Sequence, residues 1–292
     1  MAVALPRPRS VDRVGRGAGI AELLASALLF AIMALLSKRA TRTMHAAQVV
    51  FVRFAIGALV VLAQARLRGV RLAVVRRDLL LLRGFFGGMA VLAFFVGIER
   101  LPVGTATLFN YTSPVFTATF SAIFLHERLR LGSVGAMGVA LLGVILVVVG
   151  QGQALGGAYV WQALALSSAV LSGAAVTAIR AARRTDGAWE VFGAFCVVGM
   201  ACALPFMIGA WHAPTAGEWA LLLAVGLTAA AGQILMTHAA LAVTAATAGV
   251  IQQVTVVAAL ALGYVVEGDP VSVLSLFGAV LTVAGVSVAA TR

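Results

Sequence analysis

Asn110, Tyr111 and Ser113, followed by Pro114, form a polar knot inside an otherwise apolar stretch, residues 105–129. In hydrocarbon such a cluster costs free energy unless it faces protein or a water-filled cavity. Further along, Gln252 and Gln253 repeat the amide chemistry. Carboxamides both donate and accept hydrogen bonds, which suits binding of a polar solute without a fixed charge. The alternative is interhelical glue, where each such pair is worth about 1 kcal/mol. Arg53, well inside an apolar run, is either a cationic anchor for a solute carboxylate or a cation that finds backbone carbonyls or snorkels to the surface.

Glu22 is the acid best placed to couple solute movement to protons, because desolvation favours the protonated carboxyl. Its alternative role is an interfacial carboxylate near a helix N-terminus, where the dipole favours an anion. Ser26, Ser168 and Trp161 complete the candidate solute site, and Pro114 is a candidate hinge. Arg83 lies nearer a run's end and reads as snorkelling; Glu127 and Asp269 read as structural, capping the helices that follow them or pairing with nearby Arg. The sequence carries no nucleotide-binding loop, no metal-ligand spacing and no nucleophile–base signature. No catalytic residue, metal or cofactor is therefore expected, and the chain does not read as an enzyme.

The elements that hold these residues are set by composition. A chain of 292 residues that is 62% hydrophobic and 11% charged, with mean hydropathy +1.06, belongs in a membrane. At about 20 residues per crossing, ten spans are predicted: 18–37, 46–65, 79–98, 101–125, 131–150, 158–179, 188–210, 219–241, 243–266 and 271–290. The separation between the eighth and ninth is the weakest, since Leu241–Val243 offers only a tight turn. Cys196 and Cys202 match neither a zinc spacing nor a disulfide framework. Residues 1–17 form a basic tail.

Basic residues fall mostly on one side of this map, between residues 7 and 16, 66 and 77, 128 and 130, 180 and 184, and at Arg292. The other side holds only Lys38, Arg39, Arg42 and Arg100. Both termini are thus expected in the cytoplasm. The net charge of +11 follows from this bias and not from a basic aromatic face, so nucleic acid is not an expected partner.

A shift of 142 residues pairs Gly84 with Gly226, Thr105 with Thr247, Ser26 with Ser168, Val115 with Val257 and Gly143 with Gly285. The same shift carries Asn110 onto Gln252, Tyr111 onto Gln253 and Ser113 onto Thr255. Five crossings per repeat is an odd number, so the second repeat is predicted to enter the membrane inverted. Inverted repeats around a midplane site are a recurring plan of secondary transporters.

Each half closes with a polar or proline-bearing fourth helix, a helix-ending acid and a small-residue fifth helix, at residues 111–144 and 253–286. Together with FVRF (51–54), these features resemble the drug/metabolite transporter superfamily, and within it the EamA-type transporters. Val256 stands where the first half has Pro114, so a mechanism that needs a proline hinge in both halves is not supported and the two halves need not bend alike. The resemblance implies an all-α integral membrane carrier of ten helices, with repeats at 18–150 and 158–290 around a central cavity. The expected function is secondary active transport, with export favoured, of small polar or amphiphilic metabolites such as amino acids by alternating access. A broad-specificity drug efflux carrier or passive facilitator is the alternative; an intramembrane enzyme or a non-transporting scaffold ranks below both. Expected partners are a small-molecule solute and membrane lipid, with protons as candidate coupling ions; a monomer is compatible with the sequence. The expected location is the cell inner membrane.

Overall fold

The computed structural model describes residues 15–67, 69, 74–125, 131–152, 159–182, 185–239 and 245–291. Among these there is no strand. The chain forms α1 (Arg16–Ala40), α2 (Ala46–Leu67), α3 (Arg77–Arg100), α4 (Val103–Asn110), α5 (Ser113–Leu125) and α6 (Leu131–Gly152). The second half follows with α7 (Tyr159–Ala182), α8 (Ala188–Ile208), α9 (Ala216–Ala239), α10 (Ala245–Gln252), α11 (Val254–Leu262), a π-helical turn (Gly263–Glu267) and α12 (Val273–Thr291). Backbone groups in hydrocarbon must be satisfied within their own segment, so apolar runs of this length become helices.

Among the described residues, seven segments are long and apolar enough to cross a bilayer: Arg16–Ala40, Ala46–Leu67, Arg77–Arg100, Tyr159–Ile179, Ala188–Ile208, Ala216–Met236 and Val250–Glu267. Shorter apolar helices lie at Val134–Gly150 and Val273–Val288. Their outward faces carry bare apolar side chains such as Leu59, Phe124, Val265 and Val273, each more than 60% exposed. The tail before residue 15, the tight turn expected at Leu241–Val243, and Glu127 lie outside the described residues.

The expected fourth and ninth spans are both interrupted. Between α4 and α5 the ladder tightens, with Thr112 N–H donating to Phe109 O (3.2 Å) and Val115 N–H to Thr112 O (2.9 Å). Pro114 falls in the first turn of α5, where its missing N–H costs nothing. Between α10 and α11 the same tightening occurs without a proline: Gln253 N–H donates to Val250 O (3.1 Å) and Val256 N–H to Gln253 O (3.0 Å). Both helices break at matching places, and the second does so without a proline.

Packing is governed by small residues that let backbones approach. α3 lies against α7 and α8, α1 against α9, α2 against α8 and α9, and α6 against α12. A Cβ at Gly84 would meet Val198, and one at Gly226 would meet Ile56. One at Gly143 would lie 2.6 Å from Gly278 O, and one at Gly285 2.8 Å from Ala136 O. Each of these is one contact written twice, with both partners moved by the same shift. Two hydrogen bonds join residues that are themselves 142 apart: Gln253 Nε2 to Tyr111 O (3.4 Å) and Thr282 Oγ1 to Ala140 O (3.4 Å). Such reciprocity is the mark of an isologous contact, in which the same surface is used on both partners. Gly135 and Gly138 face open space; Gly143 brings the backbones together in α6.

Candidate solute-binding site

The breaks in the fourth and ninth spans expose peptide groups and place amides beside them. Asn110, the last residue of α4, donates from Nδ2 to Ser168 Oγ (3.0 Å) and Ser172 Oγ (3.4 Å) on α7. Ser168 is fully buried and donates to Ala165 O (2.5 Å). Pro114 supplies no N–H for the Asn110 carbonyl, which therefore lacks its usual intrahelical donor. On the facing half Gln253 is 3% exposed and reaches the Tyr111 carbonyl. Its neighbour Gln252 has both amide atoms buried with no hydrogen-bond partner. The Tyr111 side chain lies beside Thr255 and within electrostatic reach of Arg53. Asn110, Tyr111, Ser168, Gln253, Thr255 and Arg53 are thus linked through the middle of the bundle.

Arg53 is 6% exposed, and its guanidinium carbon lies 5.2 Å from the Phe54 ring centroid and 5.7 Å from that of Phe95. Cation–π contacts of this kind contribute about 0.5–2 kcal/mol, less than the several kcal/mol by which burial of a cation is unfavourable. Its Nε and Nη1 have no hydrogen-bond partner. It lines a small pocket with Phe54, Gly57, Phe192, Phe195 and Cys196. Arg83 does not snorkel: it is 8% exposed, its guanidinium carbon 3.9 Å from the Phe195 centroid and its Nε unpartnered.

The remaining candidates sit apart from this centre or meet backbone. Ser26 is fully buried and donates to Gly232 O (2.8 Å) on α9. Ser113 is half-buried at the start of α5, its carbonyl accepting from Thr117 Oγ1 (2.9 Å). Trp161 lies in the first turn of α7 under the Arg100 guanidinium, 5.0 Å from its ring centroid. Glu22 is half-buried, with Oε2 buried and unpartnered.

One end of the bundle is tied shut. Arg39 Nε donates to Glu267 Oε1 (2.9 Å), and Arg42 Nη2 pairs with the other carboxylate oxygen. The Glu267 side chain is only 2% exposed. Lys38 Nζ donates to the carbonyls of Ile98 (2.9 Å), Glu99 (3.3 Å) and Leu101 (2.9 Å), closing the end of α3. Asp269 accepts from Val103 N–H (2.8 Å) and so caps α4, in the other half of the chain, instead of the helix that follows it. Burial raises the Asp269 pKa against the pull of that N–H and of Lys38. A cleft at this end, lined by Pro102, Thr105, Val147, Asp269 and Leu276 among others, includes none of the candidate residues. Here α4 packs on α11, whereas α5 and α10, the matching pair at the opposite end, make no comparable contact among the described residues.

Comparison with known proteins supplies the decisive observation: the EamA-like transporter family matches residues 17–149 and again residues 160–291. The chain belongs to the EamA-like transporter family. It is 30% identical over 266 residues to the pseudopaline exporter CntI of Pseudomonas aeruginosa, covering 91% of this chain and 93% of that protein. It is 26% identical over 238 residues to solute carrier family 35 member G1 of mouse, covering 76% and 64% respectively. A crystal structure with 23% identity superposes at TM-score 0.65, covering 94% of this chain and 98% of that one, which shows the shared fold. This EamA-like protein is accordingly an integral membrane transporter, not an enzyme, whose environment is lipid and whose cargo is a small-molecule solute.

Two buried amides of the EamA-like chain were not among the candidates. Gln162, 2% exposed, has neither amide atom hydrogen-bonded. Gln48, fully buried, donates from Nε2 to His212 O (2.7 Å) and accepts from His212 N–H (3.0 Å). A polar residue inside a predicted span was the available signal for both. Gln48→Leu is expected to lower stability by about 2 kcal/mol, because two peptide groups lose their partner. Thermal unfolding of the purified protein in detergent checks this.

Proposed function

We propose that this chain is a secondary active transporter that exports small polar or amphiphilic metabolites, such as amino acids, by alternating access through a central cavity. In this reading ten membrane crossings form two inverted five-helix repeats, residues 18–150 and 158–290, in the cell inner membrane with both termini cytoplasmic. The observation that carries it is the matched interruption of the fourth and ninth spans, with Gln253 bonded to Tyr111 O and the Gln252 amide unsatisfied beside the break. Irregular backbone at membrane depth is tolerated only where it is buried in protein or lines a cavity. Interrupted helices paired across a two-fold are how many secondary carriers build a solute site.

The unequal ends support alternating access. The larger helix pairs follow the two-fold, but α4 meets α11 and α10 meets α12, whereas their counterparts α5 with α10 and α4 with α6 make no comparable contact among the described residues. With the tied end assigned to the periplasm by the bias of basic residues, this is an inward-open arrangement. Exchange of the two half-conformations closes α5 on α10 and parts α4 from α11. The likeness to an exporter over nine-tenths of the chain favours export. The buried, unpartnered Glu22 oxygen favours proton coupling through that residue.

Flux of a metabolite panel in proteoliposomes, with and without a pH gradient, tests the reading. Asn110→Ala removes the amide that bonds α7 and borders the break, and is expected to cut flux of the transported solute by about tenfold, equivalent to about 1.4 kcal/mol of barrier. Unchanged flux in this variant places the solute elsewhere. Flux indifferent to the gradient removes proton coupling and leaves a passive facilitator.

A further inference from the structure

Arg53 on α2 and Arg83 on α3 occupy one quarter of the bundle, both packed towards α8. Each is more than nine-tenths buried, and Arg53 Nε and Nη1 and Arg83 Nε have no hydrogen-bond partner. No Asp or Glu forms an ion pair with either among the described residues. Both lie within electrostatic reach of each other and of Cys196, a residue that lines the pocket with Arg53. Guanidinium stays protonated under any working condition, so two like charges share a buried compartment with no carboxylate ion-paired to either among the described residues. That arrangement is unfavourable unless something anionic enters it.

The surroundings orient the two groups for such a visitor. Phe54 and Phe95 flank Arg53, and Phe195 covers Arg83. A ring face satisfies the face of the cation and leaves its N–H edge free, the edge that bonds an oxyanion in bidentate fashion. Gly87 makes room for Arg83: a Cβ there would collide with Arg83 Nη1 and lie 2.8 Å from Phe195 Cε2. We propose that Arg53 and Arg83 form a two-guanidinium site for a solute bearing two oxyanion groups, a dicarboxylate or its phosphate counterpart. This names the substrate class of the transport reading above and rests on it.

The test reads binding and needs no flux. Full-length protein in phosphatidylcholine nanodiscs is titrated with succinate, glutarate and adipate, with butyrate and glutaramide as monoanionic and neutral controls and inorganic phosphate as a second oxyanion. The readouts are thermal stabilisation and titration calorimetry. At least one dianion is expected to bind ten times more tightly than butyrate. Arg53→Gln and Arg83→Gln are each expected to weaken it at least tenfold. Arg53→Lys and Arg83→Lys, which keep the charge but lose the fork, fall between. Gly87→Ala, which keeps both charges and displaces one, weakens it as well.

Equal binding of dianion and butyrate overturns the proposal, as does wild-type binding by both Arg83 variants in protein that elutes as a single species with unchanged helical content. Stabilisation seen only when phosphatidylglycerol is added to the nanodiscs assigns the site to a lipid headgroup and overturns the solute assignment. If the arginine variants bind dianions normally while Asn110→Ala still cuts flux, this inference fails and the transport reading stands. Dianion binding lost in the arginine variants, with no flux of any solute, reverses that outcome.

Discussion

Gly285→Val is expected to part α6 from α12 and lower stability by about 2–3 kcal/mol, the scale of overpacking a close contact. A Cβ at this position would lie 2.5 Å from Ala140 N and 2.8 Å from Ala136 O, and both are backbone atoms of a neighbouring helix that cannot swing aside. The matching position in the other half, Gly143, meets Gly278 O at 2.6 Å and Thr282 N at 2.6 Å, so Gly143→Val is expected to behave alike. Gly135→Val, on the same helix as Gly143 but facing open space, is the control that leaves stability unchanged apart from helix propensity. Thermal unfolding of the three variants in detergent separates the seam from the helix. Equal unfolding temperatures for Gly285→Val and Gly135→Val remove the argument that close approach holds α6 to α12.

Glu267→Gln is expected to loosen the tied end and shift the conformational equilibrium towards its opening. The carboxylate is buried while Arg39 and Arg42 are about half exposed, at 47% and 61%, so its two pairs gain more than surface ion pairs but less than buried ones. About 1.4 kcal/mol corresponds to a tenfold change in the population ratio. Single cysteines at Thr105 and at Gln252, tested with a membrane-impermeant thiol reagent from each side of right-side-out vesicles, read the shift. Labelling at Thr105 from the outside should rise, and labelling at Gln252 from the inside should fall. No change at either position shows that this end is held by packing of α4 on α11 and not by the Glu267 carboxylate.

Several features of the site were legible in the sequence because they are carried by composition and register. The amides of Asn110 and Gln253 drew attention as polar groups in apolar runs, and they do lie at the two interruptions. The shift that pairs the halves in sequence reappears in their contacts, down to hydrogen bonds between residues 142 apart. Other readings failed for an azimuthal reason. Position along a helix gives the depth of Arg83, and depth alone predicts a snorkel; only the direction of the side chain places it under Phe195. Gly135, Gly138 and Gly143 are equivalent in the sequence, yet only the last faces another backbone. Asp269 reads as a cap for its own neighbourhood, and its actual partner, Val103 N–H, is 166 residues away.

The break at Gln253 is the clearest case of a feature that needed the tertiary structure. Proline accounts for an interruption beside Pro114, but the second half has Val256 and breaks just the same, at a residue whose side chain bonds the opposite break. By itself the sequence determined that the chain lives in a membrane, roughly where its apolar runs lie, and that its halves are alike. Those properties follow from transfer free energies and backbone hydrogen bonding summed along each segment, and both are local. Which face of each helix meets which neighbour, which cations are buried together and which end is closed were decided only by the fold. They depend on the relative rotation and spacing of helices far apart in the chain, which local energetics leave free.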